Sequence, residues 1–166
     1  MKRIALLLTL LLLTGALSAC AKAETAETTK AATIAETTAA TAATTEDKEM
    51  NKITITVGDA VFDAELYDNE AAEAFAARLP LTLTMQELHG NEKYYYFDSA
   101  LPSEEAVPDR IESGDIKLYG SDCLVLFYDS FTTTYSYTDI GRINNPDGLK
   151  EALGAGEVAV TFAMKS

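Results

Sequence analysis

A long threonine- and alanine-rich segment, residues 21–49, limits how much of this chain can fold. Ten Ala and nine Thr occupy 19 of its 29 positions, and aromatic residues, glycine and proline are all absent from it. Such a composition lacks the large apolar side chains that build a core. We therefore predict a disordered tether over residues 20–50, and a single domain of 116 residues, Asn51–Ser166.

The N-terminus carries an export pattern. Lys2 and Arg3 precede an apolar run, Ile4–Leu13, and the small residues of Leu17-Ser18-Ala19 lead directly to Cys20. The pattern resembles a bacterial lipoprotein signal peptide that ends in a lipobox. The resemblance implies a signal peptide over residues 1–19, lipid transfer to the Cys20 sulfur, and cleavage before that residue. We therefore expect an extracytoplasmic protein, anchored by lipid at the cell membrane or outer envelope.

Two other interpretations of the N-terminus compete with a lipid anchor. A transmembrane helix is disfavoured because the apolar run is well short of the ~18 residues that span a bilayer. An ordinary secretory signal would leave Cys20 incidental, although the cysteine falls at the lipobox position. A flexible tether of this length reaches about 30 Å, which is enough to lift a domain off a membrane.

The charge balance restricts the partners of the domain. The chain carries 13 basic and 26 acidic residues, and residues 51–166 alone carry 8 basic and 20 acidic ones. A surface of this sign repels phosphate backbones, so nucleic acid is not an expected partner. It also disfavours direct docking of the domain on anionic lipid. Membrane contact is therefore expected through the lipid on Cys20.

The second cysteine, Cys123, is left without a disulfide partner if Cys20 is acylated. It begins the apolar run Cys123–Tyr128, in which a buried thiol acts as a small filler. No histidine or basic residue lies nearby in the sequence to lower its pKa. We expect an inert, buried thiol.

The domain shows mostly β-strand periodicity. Alternating apolar residues predict a hairpin over residues 52–66 that turns at Gly58, and a short helix capped by Asp68 or Asn69 and ended by Pro80. Further strands are predicted over residues 81–88, 94–97, 115–119, 123–128, 135–143 and 157–164, with a second helix over 146–153. Seven or eight short strands with one or two helices predict a mainly β fold, a small closed barrel or a sandwich.

Several motifs along the domain occur in the order found in one known family, and they resemble the bacterial cyclophilin-like domain. The resemblance covers nearly all of residues 51–166 and implies a closed β-barrel of the cyclophilin type with flanking helices. The motifs are Ile53-Thr54-Ile55-Thr56-Val57-Gly58, Leu79-Pro80-Leu81-Thr82-Leu83, Asn91-Glu92-Lys93-Tyr94, Gly114-Asp115-Ile116-Lys117-Leu118-Tyr119, Phe127-Tyr128, Tyr135-Ser136-Tyr137-Thr138-Asp139-Ile140-Gly141-Arg142-Ile143 and Gly148-Leu149.

The resemblance leaves two functions to distinguish. True cyclophilins carry a Phe-His-Arg and a Gln-Gly-Gly-Asp segment at their isomerase site, and neither segment occurs in this chain. We therefore expect a peptide or small-molecule binding module without established catalysis. The alternative is a divergent peptidyl-prolyl isomerase acting on secreted proteins, in which Arg142 supplies the donor that weakens the amide double bond.

Other chemistry finds little support in the sequence. His89 is the sole histidine and would need Glu87 or Glu92 to complete a metal site, so an exposed turn is the preferred interpretation. Gly154-Ala155-Gly156 is too short for a phosphate loop and suits a connection between a helix and a strand. We predict neither a metal nor a cofactor, and we assign no catalytic residue.

Tyrosines next to polar residues give the best candidate for a ligand site. Tyr135 and Tyr137 lie two apart, on one face of a predicted strand that also holds Arg142. Tyrosines at a barrel mouth can line a pocket with an apolar ring and a hydrogen-bonding tip, although ordinary barrel packing explains any single tyrosine. The candidate ligand-binding residues are Asn91, Glu92, Tyr94, Tyr135, Tyr137 and Arg142.

Overall fold

Eight strands and two helices form within residues 51–166, the part of the chain that the computed structural model describes. The predicted signal peptide, the lipidation site Cys20 and the tether lie outside the described residues. The strands are β1 (Lys52–Val57), β2 (Ala60–Leu66), β3 (Leu81–Leu88), β4 (Glu92–Tyr96), β5 (Asp115–Tyr119), β6 (Cys123–Phe127), β7 (Thr138–Ile143) and β8 (Val158–Met164). The helices are α1 (Glu70–Ala76) and α2 (Leu149–Leu153).

The strands close into one antiparallel barrel, in the order β1-β2-β7-β5-β6-β4-β3-β8. β8 pairs with both β1 and β3, so no strand of the barrel keeps a free edge. The closed, mainly β barrel with short helices that the sequence predicts is confirmed. The sandwich alternative is wrong.

Side chains alternate along the strands, and those that face inward fill the barrel interior. Ile53, Ile55 and Val57 are buried along β1, while the residues between them are partly exposed. The helix α1 adds Phe75, whose ring meets that of Phe162 edge to face at 5.6 Å. Of the two caps that the sequence predicts, Asp68 or Asn69, it is Asn69 whose Oδ1 accepts a hydrogen bond from the Ala72 N–H, at 2.9 Å.

One strand, β6, is buried on both of its faces. Leu124 and Leu126 point into the barrel core, whereas Cys123, Val125 and Phe127 belong to a second apolar cluster on the outside of the barrel. Segments between β4 and β5 and between β6 and β7 supply the cover over this outer face. The second cluster is where the candidate site forms.

A close approach between β2 and β7 requires a glycine. A Cβ atom on Gly141 would lie 2.5 Å from the backbone oxygen of Glu65 and 3.1 Å from Leu66 Cα. Such contacts with backbone atoms cannot be relieved by a side-chain rotation. Gly141 therefore allows the barrel to close between these two strands.

The structure corrects the predicted bounds of several elements. The strand expected over residues 135–143 begins only at Thr138, and Tyr137 makes a single bridge with Ala106 before it. The helix expected over residues 146–153 is limited to α2, and the aromatic strand expected at Tyr94 already begins at Glu92.

Candidate functional site

A cavity of about 740 Å³ opens on the outside of the barrel, over β4 and β6. We call it the outer-face cavity. The sequence predicts a tyrosine-lined pocket at the barrel mouth, but this cavity lies on the outer face. The interior of the barrel is filled by packed side chains. Its lining residues are Leu88, His89, Asn91, Glu92, Tyr94, Tyr96, Tyr119, Cys123, Val125, Phe131, Thr132, Thr133, Thr134, Tyr135 and Tyr137.

The strand β4 provides one wall of the cavity through its alternation. Glu92, Tyr94 and Tyr96 line the cavity, while Lys93 and Tyr95 between them belong to the other face of the strand. The rings of Tyr94 and Tyr96 meet edge to face, with their centroids 5.8 Å apart. Hydrogen bonding from the Tyr94 hydroxyl to Gln86 Oε1, at 3.1 Å, holds the first of these rings.

The opposite wall is the segment 131–137, which is fixed at both ends. Phe131 bridges to Ile111 and Tyr137 bridges to Ala106, each through backbone hydrogen bonds. The Tyr137 ring is buried against Phe127 and lies 5.7 Å from the Tyr119 ring. This segment therefore holds the cavity open as a preformed wall.

Aromatic contact extends from this wall to the solvent. Tyr135 is 63% exposed, and its ring packs at right angles on that of Tyr119 with a centroid distance of 6.1 Å. The cavity thus has an anchored aromatic base and an accessible aromatic rim. It holds five of the eight tyrosines of the chain, Tyr94, Tyr96, Tyr119, Tyr135 and Tyr137.

The carboxyl group of Glu92 is the acidic group in the wall. Burial, and secondly the negative charge of Glu87, raise the pKa of Glu92 from 4.5 to about 7. No hydrogen bond or ion pair from another residue in 51–166 reaches this carboxyl group. The group is therefore poised to gain or lose a proton near neutral pH, according to what occupies the cavity.

Asn91 contributes a second unsatisfied polar atom. Its backbone is fixed, since its carbonyl oxygen accepts a hydrogen bond of 2.9 Å from the Tyr128 N–H. Its side-chain Oδ1 is buried and has no hydrogen-bond partner within residues 51–166. A buried acceptor without a partner is costly, so this atom is a natural contact for a bound donor.

The thiol of Cys123 lines the cavity but is chemically quiet. Burial raises the pKa of Cys123 to about 11, against the lowering effect of a hydrogen bond with Tyr96 and with smaller increases from the charges of Asp122 and Glu92. A thiol in this state forms little of the nucleophilic thiolate at neutral pH. The buried position expected for Cys123 is confirmed.

Comparison with known proteins agrees with this architecture. Residues 55–163, more than half of the chain, match the profile of the cyclophilin-like family. The chain belongs to the cyclophilin-like family. A hypothetical protein from Archaeoglobus fulgidus, known from a solution structure, is 26% identical, and the similarity covers 73% of this chain and 99% of that chain with a TM-score of 0.55. No curated protein matches the chain.

Arg142 does not belong to the outer-face cavity of this cyclophilin-like domain. It lies on β7, where its Nε is 3.6 Å from Asp115 Oδ1. The buried Lys117 pairs with the same Asp115 at 3.8 Å and more closely with Asp139. The prediction that Arg142 lies close to Tyr135 and Tyr137 is wrong, because those tyrosines precede β7 and form part of the cavity wall, whereas Arg142 does not line the cavity.

The other five candidate residues, Asn91, Glu92, Tyr94, Tyr135 and Tyr137, all line the cavity of the cyclophilin-like domain. Whether they bind a ligand stays a prediction. His89 also lines the cavity, exposed in the turn between β3 and β4 with a φ of 54°. Within the described part of the chain, no group of three or more His, Cys, Asp or Glu side chains could hold a metal ion.

Sequence reasoning missed the threonines Thr132, Thr133 and Thr134, and the rings of Tyr96, Tyr119 and Phe131. Tyr96 could have been found, because it lies two residues after Tyr94 on the same face of a strand. The threonines sit in an irregular segment, and no periodicity indicates which face such a segment covers.

Neither helix between residues 51 and 166 has the length and apolar character that a bilayer crossing requires.

Proposed function

We propose that this protein is a lipid-anchored binding module of the bacterial cell envelope. Its cyclophilin-like domain binds a peptide or small molecule in the outer-face cavity. The observation that carries the proposal is the cavity itself: about 740 Å³, preformed, walled by tyrosine rings and supplied with polar groups that have no partner in the domain. Ligand sites in proteins have this combination of apolar walls and few polar groups.

Support for the anchor comes from the sequence. The basic start, the apolar run and the small residues before Cys20 resemble a lipobox. The domain is strongly acidic, which disfavours direct docking on anionic lipid. A lipid on Cys20, followed by a tether, would hold the domain near the membrane while leaving the cavity accessible.

A tyrosine signal gives a direct test of binding. The chain contains no Trp, and five of its eight tyrosines line the cavity, so tyrosine fluorescence reports mainly on this site. We expect the full chain in detergent to show saturable fluorescence changes with members of a library of short peptides and small molecules. Tyr135→Ala should weaken the response. Tyr67→Ala, which removes an exposed tyrosine away from the cavity, should preserve it. A library that gives no saturable change would contradict the binding function.

The anchor has an independent test with a matched cysteine control. We expect radiolabelled fatty acid to be incorporated into the full chain in a bacterial host, and the protein to sediment with membranes. Cys20→Ser should abolish both results, whereas Cys123→Ser should preserve both. Equal labelling of the wild type and Cys20→Ser would refute the lipid anchor.

Arg142, the donor that the isomerase alternative invokes, lies outside the outer-face cavity. Arg142 is paired with Asp115 on another part of the barrel, and the cavity has no arginine among its lining residues in 51–166. We therefore propose binding rather than catalysis. Acceleration of Xaa-Pro isomerisation by the full chain, lost in Arg142→Ala while the fold is kept, would reverse this preference.

A further inference from the structure

We propose that the outer-face cavity binds an alkylammonium ion, with Glu92 as its counter-ion and tyrosine rings as its walls. This inference rests on the proposed binding function and names the chemical class of the ligand. The ammonium group could belong to a free amine or to a lysine side chain of a peptide. Both sources present the same cation on an aliphatic chain.

The charge of the site selects a cation. Glu92 is partly buried, and no lysine or arginine in the described part of the chain lines the cavity. The nearest basic group along β4, Lys93, is fully engaged on the other face of the strand by Glu87 and two backbone carbonyls. A desolvated carboxyl group either keeps its proton or is stabilised by a partner of opposite charge, and a cationic ligand would supply that partner here. An anionic ligand would be repelled.

The rings favour a cation that carries aliphatic carbon. Tyrosine faces attract ammonium groups through the ring quadrupole, and cages of such rings recognise methylated ammonium ligands. The edge-to-face pairs Tyr94 with Tyr96 and Tyr119 with Tyr135 each place one ring nearly perpendicular to the other. Ring faces in different orientations suit a roughly spherical cation with apolar substituents. A small hydrated metal ion gains less from such walls.

The polar atoms beside Glu92 are suited to N–H donors. Asn91 lines the cavity and its Oδ1 is buried without a partner, so a rotation of this side chain would offer an acceptor to a bound ammonium. The hydroxyl groups of Thr132, Thr133 and Thr134 offer additional acceptors along the opposite wall. A primary ammonium group can therefore use contacts that a quaternary one cannot.

The protonation of Glu92 makes the inference sensitive to pH. Its pKa is about 7 in the free protein, because of burial and the charge of Glu87 on β3. The other titratable groups around it are His89 in the turn, Tyr128 and Cys123 on the β6 side, and Tyr137 on the facing segment. Since a cation binds the ionised form, we expect affinity about tenfold higher at pH 8 than at pH 6.

Matched cationic and neutral probes test the charge. Choline and n-butylammonium are titrated into the full chain at pH 6 and pH 8, beside neohexanol and n-butanol, which have similar shapes without the charge. Tyrosine fluorescence is the readout. We expect the cations to bind at least tenfold more tightly than their neutral counterparts at pH 8, with the preference reduced at pH 6.

Variants assign the effect to Glu92. Glu92→Gln should abolish both the preference for cations and its pH dependence, while keeping the affinity for the neutral probes. Glu73→Gln, which removes an exposed carboxylate on α1, should behave as the wild type. His89→Gln tests the other titratable group of the turn and should retain the pH dependence. Tyr135→Ala should weaken cation binding.

The source of the ammonium is tested with a peptide containing lysine and its norleucine analogue. Tighter binding of the lysine peptide than of butylammonium would identify a peptide ligand, and equal binding would identify a free amine. Equal affinity for cations and neutral isosteres, or a cation preference that survives in Glu92→Gln, would overturn the inference. Absence of all binding by these probes would overturn it too. The broader binding function would fall only if the peptide and small-molecule library also fails.

Discussion

Two glutamates at the β3–β4 turn, Glu87 and Glu92, have opposite surroundings. The carboxylate of Glu87 accepts hydrogen bonds from Lys93 Nζ and the Tyr128 hydroxyl, both at 2.6 Å, and from the Gly90 N–H at 2.8 Å. That of Glu92 receives none from residues 51–166. Burial alone would raise the pKa of Glu87, but these donors outweigh it and lower that pKa, whereas the pKa of Glu92 rises.

The difference follows from the alternation of β4. Lys93 points inward, where its Nζ also donates to the carbonyl oxygens of Gly154 at 2.9 Å and Gly156 at 2.5 Å. Glu92 points outward into the cavity. One polar cluster is therefore closed by its own partners and stabilises the fold. The other is left open, and its polar groups are free for a ligand.

The largest effect on stability is expected for Lys93→Ala. Lys93 is fully buried with all three of its ammonium donors used, so truncation leaves two carbonyl oxygens without this donor and Glu87 without its cationic partner. We expect the free energy of unfolding to fall by about 3–5 kcal/mol, measured by urea denaturation of the full chain. Lys165→Ala breaks a surface ion pair with Asp63 and should cost under about 1 kcal/mol. Similar losses of stability in both variants would show that the buried contacts of Lys93 with Glu87 and the two carbonyl oxygens do not stabilise the fold.

A smaller loss is expected for Tyr128→Phe. The variant keeps the buried ring but removes the hydroxyl that donates to Glu87. We expect a loss of about 1.5–3 kcal/mol in the same denaturation experiment, because the acceptor is charged. Tyr94→Phe, which removes an exposed hydroxyl bonded to Gln86, is the control and should change little. An unchanged stability in Tyr128→Phe would mean that Lys93 and the Gly90 N–H satisfy Glu87 without the Tyr128 hydroxyl.

The carboxyl group of Glu92 should make the stability of the folded chain depend on pH. In the ligand-free protein, Glu92 holds a proton up to about pH 7, whereas in the unfolded chain it loses that proton near pH 4.5. The folded state therefore binds more protons between these values, and stability falls as the pH rises from 4.5 to about 7. Glu87 has the opposite sign, because its lowered pKa makes stability fall as the pH drops.

Glu92→Gln should remove this loss of stability. Relative to the wild type, we expect the variant to gain on the order of 1 kcal/mol between pH 5 and pH 7.5, since solvent at the cavity screens part of the effect. Urea denaturation across this range measures the difference, and Glu73→Gln should follow the wild type. A parallel pH profile for Glu92→Gln would show that Glu92 ionises normally in the folded chain.

The sequence predicted the barrel better than the site, for physical reasons that particular residues illustrate. Alternation places Ile53, Ile55 and Val57 in the core, and ordered motifs identify the family. The same alternation does not predict that Lys93 is buried, because its three acceptors come from Glu87 and from carbonyls 61 and 63 residues away. Arg142 was misplaced because the expected strand begins three residues later, and its ion pair with Asp115 depends on the strand order.

The smallest effect on stability is expected at the rim of the cavity, for Tyr135→Ala. Its ring is mostly exposed and contacts Tyr119 edge to face, so we expect a loss below about 1 kcal/mol by urea denaturation. The same variant should weaken ligand binding, because the ring forms part of the aromatic wall. Stability and binding would then be separable, as expected for a side chain held in place for a ligand. A loss as large as that of Tyr128→Phe would instead place Tyr135 among the residues that hold the fold together.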